Sequence, residues 1–222
     1  MESETLTSPV APARRRRKDA RPAELVAAAI DLFVERGYAA TRLDDVAARA
    51  GVSKGTLYLY FGSKEDLFKA VIREGIVPAL EHGESVVSNF EGSTTELLRW
   101  IIHGWWQLIG ATRFGGIPKL MISEARNFPE VANFYHEAVI VRGRNLLGQV
   151  LKRGIESGEF RDLDVDVAID VIFAPVLLLA IWRHSWSVCD AGHDPATYLD
   201  THLGLLLDGL TANDPPRGRK PR

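Results

Sequence analysis

A lysine, a threonine and two tyrosines lie close together in residues 51–64, which read Gly-Val-Ser-Lys-Gly-Thr-Leu-Tyr-Leu-Tyr-Phe-Gly-Ser-Lys. A lysine ammonium binds phosphate or the edge of guanine, and a threonine binds phosphate or contacts the methyl group of thymine. A tyrosine hydroxyl also donates to phosphate oxygens. Because these side chains share one short segment, they predict contact with double-stranded DNA.

Two short helices must position these side chains. A helical pattern over residues 43–50 breaks at Gly51 and resumes within three residues, at Ser53. Helices joined so tightly cross at a steep angle, as in a helix-turn-helix that sets its second helix in the major groove. Gly51 is predicted to supply the positive φ that ends the first of them. Leu57 and Phe61 are expected to hold the second helix against its neighbours.

Hydroxyl residues mark the predicted helix starts. Thr41 and Ser63 are each followed three residues later by an aspartate, the pattern of a capping box, and Ser53 is a third predicted N-cap. The first helix is expected to begin near Pro22 and to end at Gly37. Apolar residues continue at helical spacing to about residue 212, without the alternation typical of strands. The predicted fold class is therefore all-α.

Composition limits the classes of function. The net charge is −2, with a small excess of Lys and Arg over residues 1–75 and an excess of Asp and Glu after them. Cys189 is the single cysteine, which indicates a reducing compartment, and the location is predicted to be cytoplasmic. The uncharged stretch at 171–182 is shorter than the ~20 residues of a membrane span, so no membrane partner is expected. The histidines show no metal-ligand spacing, and phosphate-binding loops and nucleophile elbows are absent, so no metal, cofactor or enzyme activity is predicted.

Residues 22–72 closely resemble the N-terminal DNA-binding domain of the TetR (tetracycline-repressor-like) family. The matching string runs through Leu32-Phe33, Gly37-Tyr38, Thr41, Val46-Ala47, Ala50 to Tyr58, Tyr60-Phe61 and Ser63 to Glu65. The resemblance implies that Tyr58, Tyr60 and Lys64 contact DNA, the last two chiefly through phosphate. The full predicted DNA-binding set is Arg42, Ser53, Lys54, Gly55, Thr56, Tyr58, Tyr60 and Lys64.

The resemblance also divides the chain. It implies a three-helix helix-turn-helix domain at 22–72 and a larger helical effector-binding and dimerisation domain at 73–212. Composition rich in Pro and Arg predicts a disordered basic arm at 1–21 and a disordered tail at 213–222. Val77-Pro78 is expected to bend the fourth helix, although it can also end it. Arg14 to Lys18 either enters a minor groove or adds counterion release, or is simply solvated.

The second domain is rich in aromatic residues, which suit both a core and the walls of a cavity for an apolar ligand. Its leucine stripe near the C-terminus either pairs two protomers or closes the protomer's own core. His136 and Arg183 are additional polar candidates. The predicted effector-pocket residues are Trp100, His103, Trp106, Met121, Glu124, Phe134, Phe173, Leu177 and Trp182.

The sequence thus predicts a ligand-responsive transcriptional repressor that binds a palindromic operator as a homodimer. A small apolar or aromatic effector is expected to release it by favouring a domain arrangement whose recognition helices no longer fit the DNA. A ligand-gated activator and an architectural DNA-binding protein without an effector are the alternatives.

Overall fold

The computed structural model describes residues 13–189 and 192–211, with side chains from residue 21 onward. Its regular elements in these ranges are helices, which confirms the all-α fold class. The α-helices are α1 (Ala13–Arg36), α2 (Leu43–Arg49), α3 (Lys54–Tyr58), α4 (Lys64–Gly75), α5 (Val77–Asn89), α6 (Thr94–Trp105), α7 (Ile117–Glu124), α8 (Pro129–Tyr135), α9 (Arg142–Glu156), α10 (Val165–Arg183) and α11 (Pro195–Leu210). π-Helical turns at Trp106–Gly110 and His136–Val141 and a 3-10 turn at Arg113–Gly116 complete them.

The first helix is longer than the sequence predicts. α1 begins at Ala13, so residues 13–21, predicted to be disordered, are helical in the structure. Alanine, arginine and lysine are strong helix formers, and Pro22 is accommodated inside α1 rather than at its start. Residues 1–12 and the predicted tail at 213–222 lie outside the described residues.

Two of the three predicted hydroxyl caps are confirmed. Ser53 Oγ accepts from the Thr56 backbone N–H, and Ser63 Oγ accepts from the Asp66 backbone N–H. The Thr41 capping box is wrong, because residue 42 is the N-cap of α2 and has no side-chain cap. Thr41 is 2% exposed, and its hydroxyl donates to the Gly37 carbonyl at 2.7 Å and the Leu32 carbonyl at 3.2 Å. Burial beneath the end of α1 therefore sets its partners.

Two apolar clusters form the core. The first joins the buried faces of α1–α4 to residues of the second predicted domain, among them Ile117, Met121, Val131 and Tyr135. The second lies between α6, α9, α10 and α11. The DNA-binding helices are therefore packed directly onto the helices behind them, which lets a change in one part displace the other.

Several helix ends differ in detail from the prediction. The fourth helix ends at Gly75 instead of bending, and Pro78 occupies the first turn of α5. Leu199, Leu203 and Leu210 of the leucine stripe are buried in the protomer's own core. By length and apolar composition α10 would also suit a membrane span, a property that buried core helices share.

Candidate nucleic-acid interface and ligand cavity

The turn between α2 and α3 has the geometry of a helix-turn-helix. Gly51 has φ +67°, as predicted for the residue that ends α2. The Val52 N–H donates to the Ala47 carbonyl and the Gly51 N–H to the Ala48 carbonyl, the two bonds of a Schellman motif. Leu57 is fully buried and anchors α3 from below. The opposite face of α3 is consequently turned to solvent.

That outer face carries the predicted readers. Tyr58 is 46% exposed, and Lys54 Nζ lies 5.9 Å from the centre of its ring. Lys54 Nζ also pairs with Asp44 Oδ1 at 2.9 Å, and the hydrogen bond to Asp44 raises the pKa of Lys54. Thr56 Oγ1 lies 2.8 Å from Ser53 Oγ. If Lys54 binds a phosphate or a base, as the sequence predicts, it must give up Asp44 for that partner.

The rest of the predicted DNA-binding set is more varied. Arg42 is exposed at the start of α2, beside α3. Gly55 is exposed, and a Cβ there would meet only Ser53 Oγ at 3.9 Å. Tyr60 is half-buried against the first core cluster, so its ring has a packing role as well. Sequence reasoning missed Leu59, whose 82% exposure on the same surface suits contact with a thymine methyl.

Lys64 has partners that its sequence context did not reveal. Its Nζ donates to the carbonyls of Tyr38 at 2.7 Å, Ala39 at 3.1 Å and Thr41 at 3.1 Å. An ammonium has three donors, so all of them are engaged. Nζ also lies 4.5 Å from the Tyr38 ring centre, and burial lowers the pKa of Lys64. In this structure Lys64 therefore clamps the loop between α1 and α2, and its contact with DNA phosphate stays a prediction.

Behind this surface lies a cavity of about 620 Å³, within the usual size range of small-molecule sites. Its walls come from α5 to α10 and from both π-helical turns. π-Helical turns occur frequently at functional sites. The lining is predominantly apolar, which suits an apolar ligand.

Four of the nine predicted pocket residues line this cavity: Trp100, Met121, Phe173 and Leu177. Trp106 does not, because it is 4% exposed and packed in the second core cluster. His103 does not, because Nε2 faces Asp200 Oδ1 of α11 at 3.3 Å.

The remaining three predicted pocket residues serve other contacts. Glu124 Oε1 accepts from the Ala39 backbone N–H at 3.2 Å. The Phe134 ring faces α4, where the Arg73 guanidinium lies 5.1 Å from its centre. Trp182 is 38% exposed and stacks on Trp186. Each was predicted from its residue type, which does not tell which face of a helix it occupies.

The cavity also has walls that the sequence prediction missed. Trp105 lines it and packs edge-on against the Phe173 ring with centres 4.9 Å apart. Tyr135 lines it beside the first core cluster. The lining also includes four polar side chains: Asn133, His136, Arg144 and Asp170. Of these, only His136 was a sequence candidate, and Arg183 is not part of the lining.

Arg144 and Asp170 form an ion pair at the cavity, and the Arg144 guanidinium also donates to the Asp166 carbonyl at 3.1 Å. Asp170 is 69% exposed, so an incoming anion can displace it into water at little cost.

Among the described residues no group of three His, Cys, Asp or Glu side chains is placed to hold a metal ion.

α7 connects the cavity to the DNA-binding helices. Met121 and Ile122 line the cavity, whereas Glu124 at the end of the same helix accepts from the α1–α2 loop. Just beyond α7, the Phe128 ring packs against Tyr38 with centres 4.7 Å apart. A ligand that moves α7 therefore acts on the same loop that Lys64 clamps.

The fold and the two sites define a helix-turn-helix regulator with a ligand cavity. Residues 25–71 match the model of bacterial regulatory proteins of the tetR family, and residues 91–191 match the tetracyclin repressor-like C-terminal domain. The chain therefore belongs to the TetR family of transcriptional regulators.

Relatives with related sequences support the same assignment. The fatty acid metabolism regulator protein of Bacillus subtilis is 28% identical over 84% of this chain and 94% of its own. The structure of FadR from Bacillus subtilis in complex with stearoyl-CoA is 25% identical, with a TM-score of 0.70 over 84% of this chain and 98% of that one. The ketosteroid transcriptional regulator KstR2 of Mycobacterium tuberculosis is 25% identical, with a TM-score of 0.69 over 87% of this chain and 96% of that one.

Proposed function

We propose that this regulator is a repressor that binds a palindromic operator as a homodimer and is released by a small, mostly apolar effector. The observation that carries the proposal is the shared helix α7, which lines the cavity and also bonds to the α1–α2 loop. Regulators of this family act in the cytoplasm, and we place this one there.

The DNA-binding part of the proposal rests on α3. Its buried side is fixed by Leu57, and its outer side presents Lys54 and Tyr58 to solvent. A helix held in this way enters the major groove, and two copies related by a two-fold axis read the two halves of a palindrome. Lys54 and Arg42 supply positive charge for phosphate next to the groove.

The dimer part of the proposal rests on an exposed apolar face. Val167, Val171 and Leu178 of α10 and Leu205 of α11 are between 54% and 73% exposed. Helix faces of this kind are commonly covered by a second copy in a two-fold dimer. The buried leucines of α11 fill the protomer's own core, so the outer residues of the same helix are free to pair.

The effector part of the proposal rests on the cavity. Its apolar walls fit an aliphatic or polycyclic body, and Arg144 offers a bidentate partner for an anionic group. The relative solved with stearoyl-CoA binds a molecule of this general kind. We infer an amphipathic effector that places its apolar part inside and its charged part beside Arg144.

The proposal is tested by measuring operator binding in the presence of stearoyl-CoA. The probe is a duplex from the region upstream of the gene, followed by fluorescence anisotropy with rising stearoyl-CoA or palmitate concentration. We expect wild-type protein to release DNA. Activation of transcription by the ligand in a purified transcription assay would favour the activator alternative, and DNA binding that never responds to such ligands would favour the architectural one.

A cavity-filling variant is the matched control. Gly143 lines the cavity, and a Cβ there would meet nothing within 4 Å. In Gly143→Leu we expect unchanged operator affinity and a lost response to ligand, because the added side chain occupies the ligand's space. A response equal to that of the wild type would place the effector elsewhere.

A further inference from the structure

Tyr135 lines the cavity where the cavity adjoins the core cluster that includes the DNA-binding helices. Its ring lines the cavity and also belongs to the core cluster that includes α1 and α4. The residue is 8% exposed, so more than nine-tenths of its surface is covered by protein. Apolar neighbours in the lining include Leu80, Ile109 and Met121, and the adjacent Asn133 and His136 add polar groups.

The hydroxyl of Tyr135 lacks a protein partner. Within the residues that the structure describes, Tyr135 Oη makes no hydrogen bond, and burial alone raises the pKa of the phenol. Among the described residues, Thr94 Oγ1 is the polar side-chain atom that has neither a hydrogen-bond partner nor contact with solvent. Tyr135 Oη does not belong to this class, so it retains some accessible surface. Since Tyr135 lines the cavity, we take its hydroxyl to face it. Buried tyrosine hydroxyls normally find a partner, so the cavity's occupant is expected to supply one.

The second polar position of the cavity lies farther along the same helical course. Arg144 follows Tyr135 by nine residues, and the π-helical turn His136–Val141 lies between them. Apolar side chains such as Val139 and Leu146 line the wall between them. The cavity therefore offers an anion partner at Arg144, largely apolar walls and a hydrogen-bond donor at Tyr135.

We propose that Tyr135 is a ligand-binding residue and that the effector is an elongated apolar acid with a ketone or hydroxyl oxygen at the end that reaches Tyr135 Oη. This inference rests on the proposed function, because it assumes that the cavity is the effector site. A plain hydrocarbon tail leaves the hydroxyl buried and unpaired, whereas an oxygen acceptor pairs with it. Sites built around a hydrogen bond discriminate strongly against ligands that lack the matching group.

Two matched acids test the inference. Cholanic acid and dehydrolithocholic acid share the carboxylate and the ring system, and they differ by one ring ketone at the end remote from the carboxylate. Palmitate and ω-hydroxypalmitate form a flexible pair with the same difference. Binding to the full chain is measured by isothermal titration calorimetry without DNA, so the result does not depend on operator release.

We expect the wild type to prefer the oxygenated member of each pair by about tenfold. In Tyr135→Phe, which keeps the ring and removes the hydroxyl, that preference falls to about one, and the plain acid binds at least as tightly as before. Tyr38→Phe is the matched control, because Tyr38 is 4% exposed and does not line the cavity. Its preference is expected to equal that of the wild type.

An equal preference in wild type and Tyr135→Phe overturns the inference, because the hydroxyl would then bond to water and not to the ligand. It is also overturned if neither pair binds the wild type, or if Tyr38→Phe loses the preference too. A Tyr135-dependent preference without any DNA release would keep the ligand assignment and contradict the proposed repressor mechanism. The two failures are therefore distinguishable.

Discussion

Replacing Lys64 by alanine is expected to destabilise the protein while leaving the salt dependence of DNA binding unchanged. Lys64 Nζ donates to the carbonyls of Tyr38, Ala39 and Thr41, at 2.7, 3.1 and 3.1 Å respectively. A hydrogen bond from a charged donor contributes about 1.5–3 kcal/mol net when its partner is buried. The Ala39 carbonyl is in an exposed segment and regains water after the substitution, so about two of the three bonds count.

Two such bonds give an expected loss of stability of about 3–6 kcal/mol. Partial burial of the ammonium lowers the pKa of Lys64 and so disfavours its charged form in the folded protein. This favours the low end of the expected loss of stability. At the low end, about 3 kcal/mol, a chain of this length is expected to lose roughly 6–12 °C in Tm. The size of the effect reflects three carbonyls that a single side chain holds together.

DNA binding by Lys64→Ala is measured well below its Tm, on nonspecific duplex DNA over a range of salt concentrations. Each lost phosphate contact lowers the slope of log affinity against log salt by about 0.9. Because the Nζ donors of Lys64 are engaged on carbonyls, we expect the wild-type slope. Lys54→Ala is the matched control: Lys54 is 61% exposed, so its loss should leave Tm nearly unchanged while lowering the slope. A Lys64→Ala protein with a normal Tm and a reduced slope would refute the clamp and restore the phosphate contact.

Three further predictions follow from exposure and burial. Tyr58→Ala should weaken operator binding by about 1–2 kcal/mol per recognition helix with little change in Tm, because the side chain is 46% exposed; unchanged affinity would contradict the recognition-helix assignment. Leu205→Glu should leave each protomer folded but yield monomers by light scattering and lower operator affinity roughly 100-fold, whereas a stable dimer would refute the proposed face. Burial holds the pKa of His184 below its ordinary 6.5, so the unfolded chain binds more protons and stability falls as pH drops through and below 6.5. His184→Gln should lose less Tm than wild type between pH 7 and pH 5, and parallel curves would contradict this origin.

Local signals in the sequence were sufficient to predict most helix starts and ends of the helix-turn-helix. Ser53, Ser63, Gly37 and Gly51 act through partners a few residues away, so their spacing alone predicted the helix starts and the positive φ values. Thr41 failed by the same criterion, because its partners lie beneath the end of α1. A capping pattern predicts which bonds are available, and burial determines which of them form.

Long-range partners were beyond such reasoning. Lys64 bonds to residues more than 20 positions earlier in the chain, and Glu124 bonds to a backbone N–H 85 positions away. No pattern in the local sequence indicates either pairing. Lys64 was therefore assigned to phosphate and Glu124 to the effector pocket, although both hold the same loop.

The choice of cavity aromatics failed for a geometric reason. Trp105 and Trp106 are adjacent, and helical spacing placed apolar residues on both faces of α6, so either tryptophan suited a pocket. The structure ends α6 at Trp105 and begins a π-helical turn at Trp106. Trp105 and Ile109, four residues apart, lie on the cavity wall, whereas Trp106, about 100° further round the helix, enters the core.

The loop between α1 and α2 lies between the cavity wall and the DNA-binding helices, and under the proposed function it couples ligand to DNA. Lys64 holds it from α4, Glu124 from the end of α7, and the Phe128 ring packs against its Tyr38. The contacts of Glu124 and Phe128 come from the end of α7 and the residues directly after it, and α7 is part of the cavity wall. A ligand that favours a different position of α7 must either carry the loop with it or break the Glu124 bond, and only the first moves the recognition helix. Because Lys64 ties the loop to the DNA-binding helices, the structure favours movement of the whole domain over local unfolding of the loop.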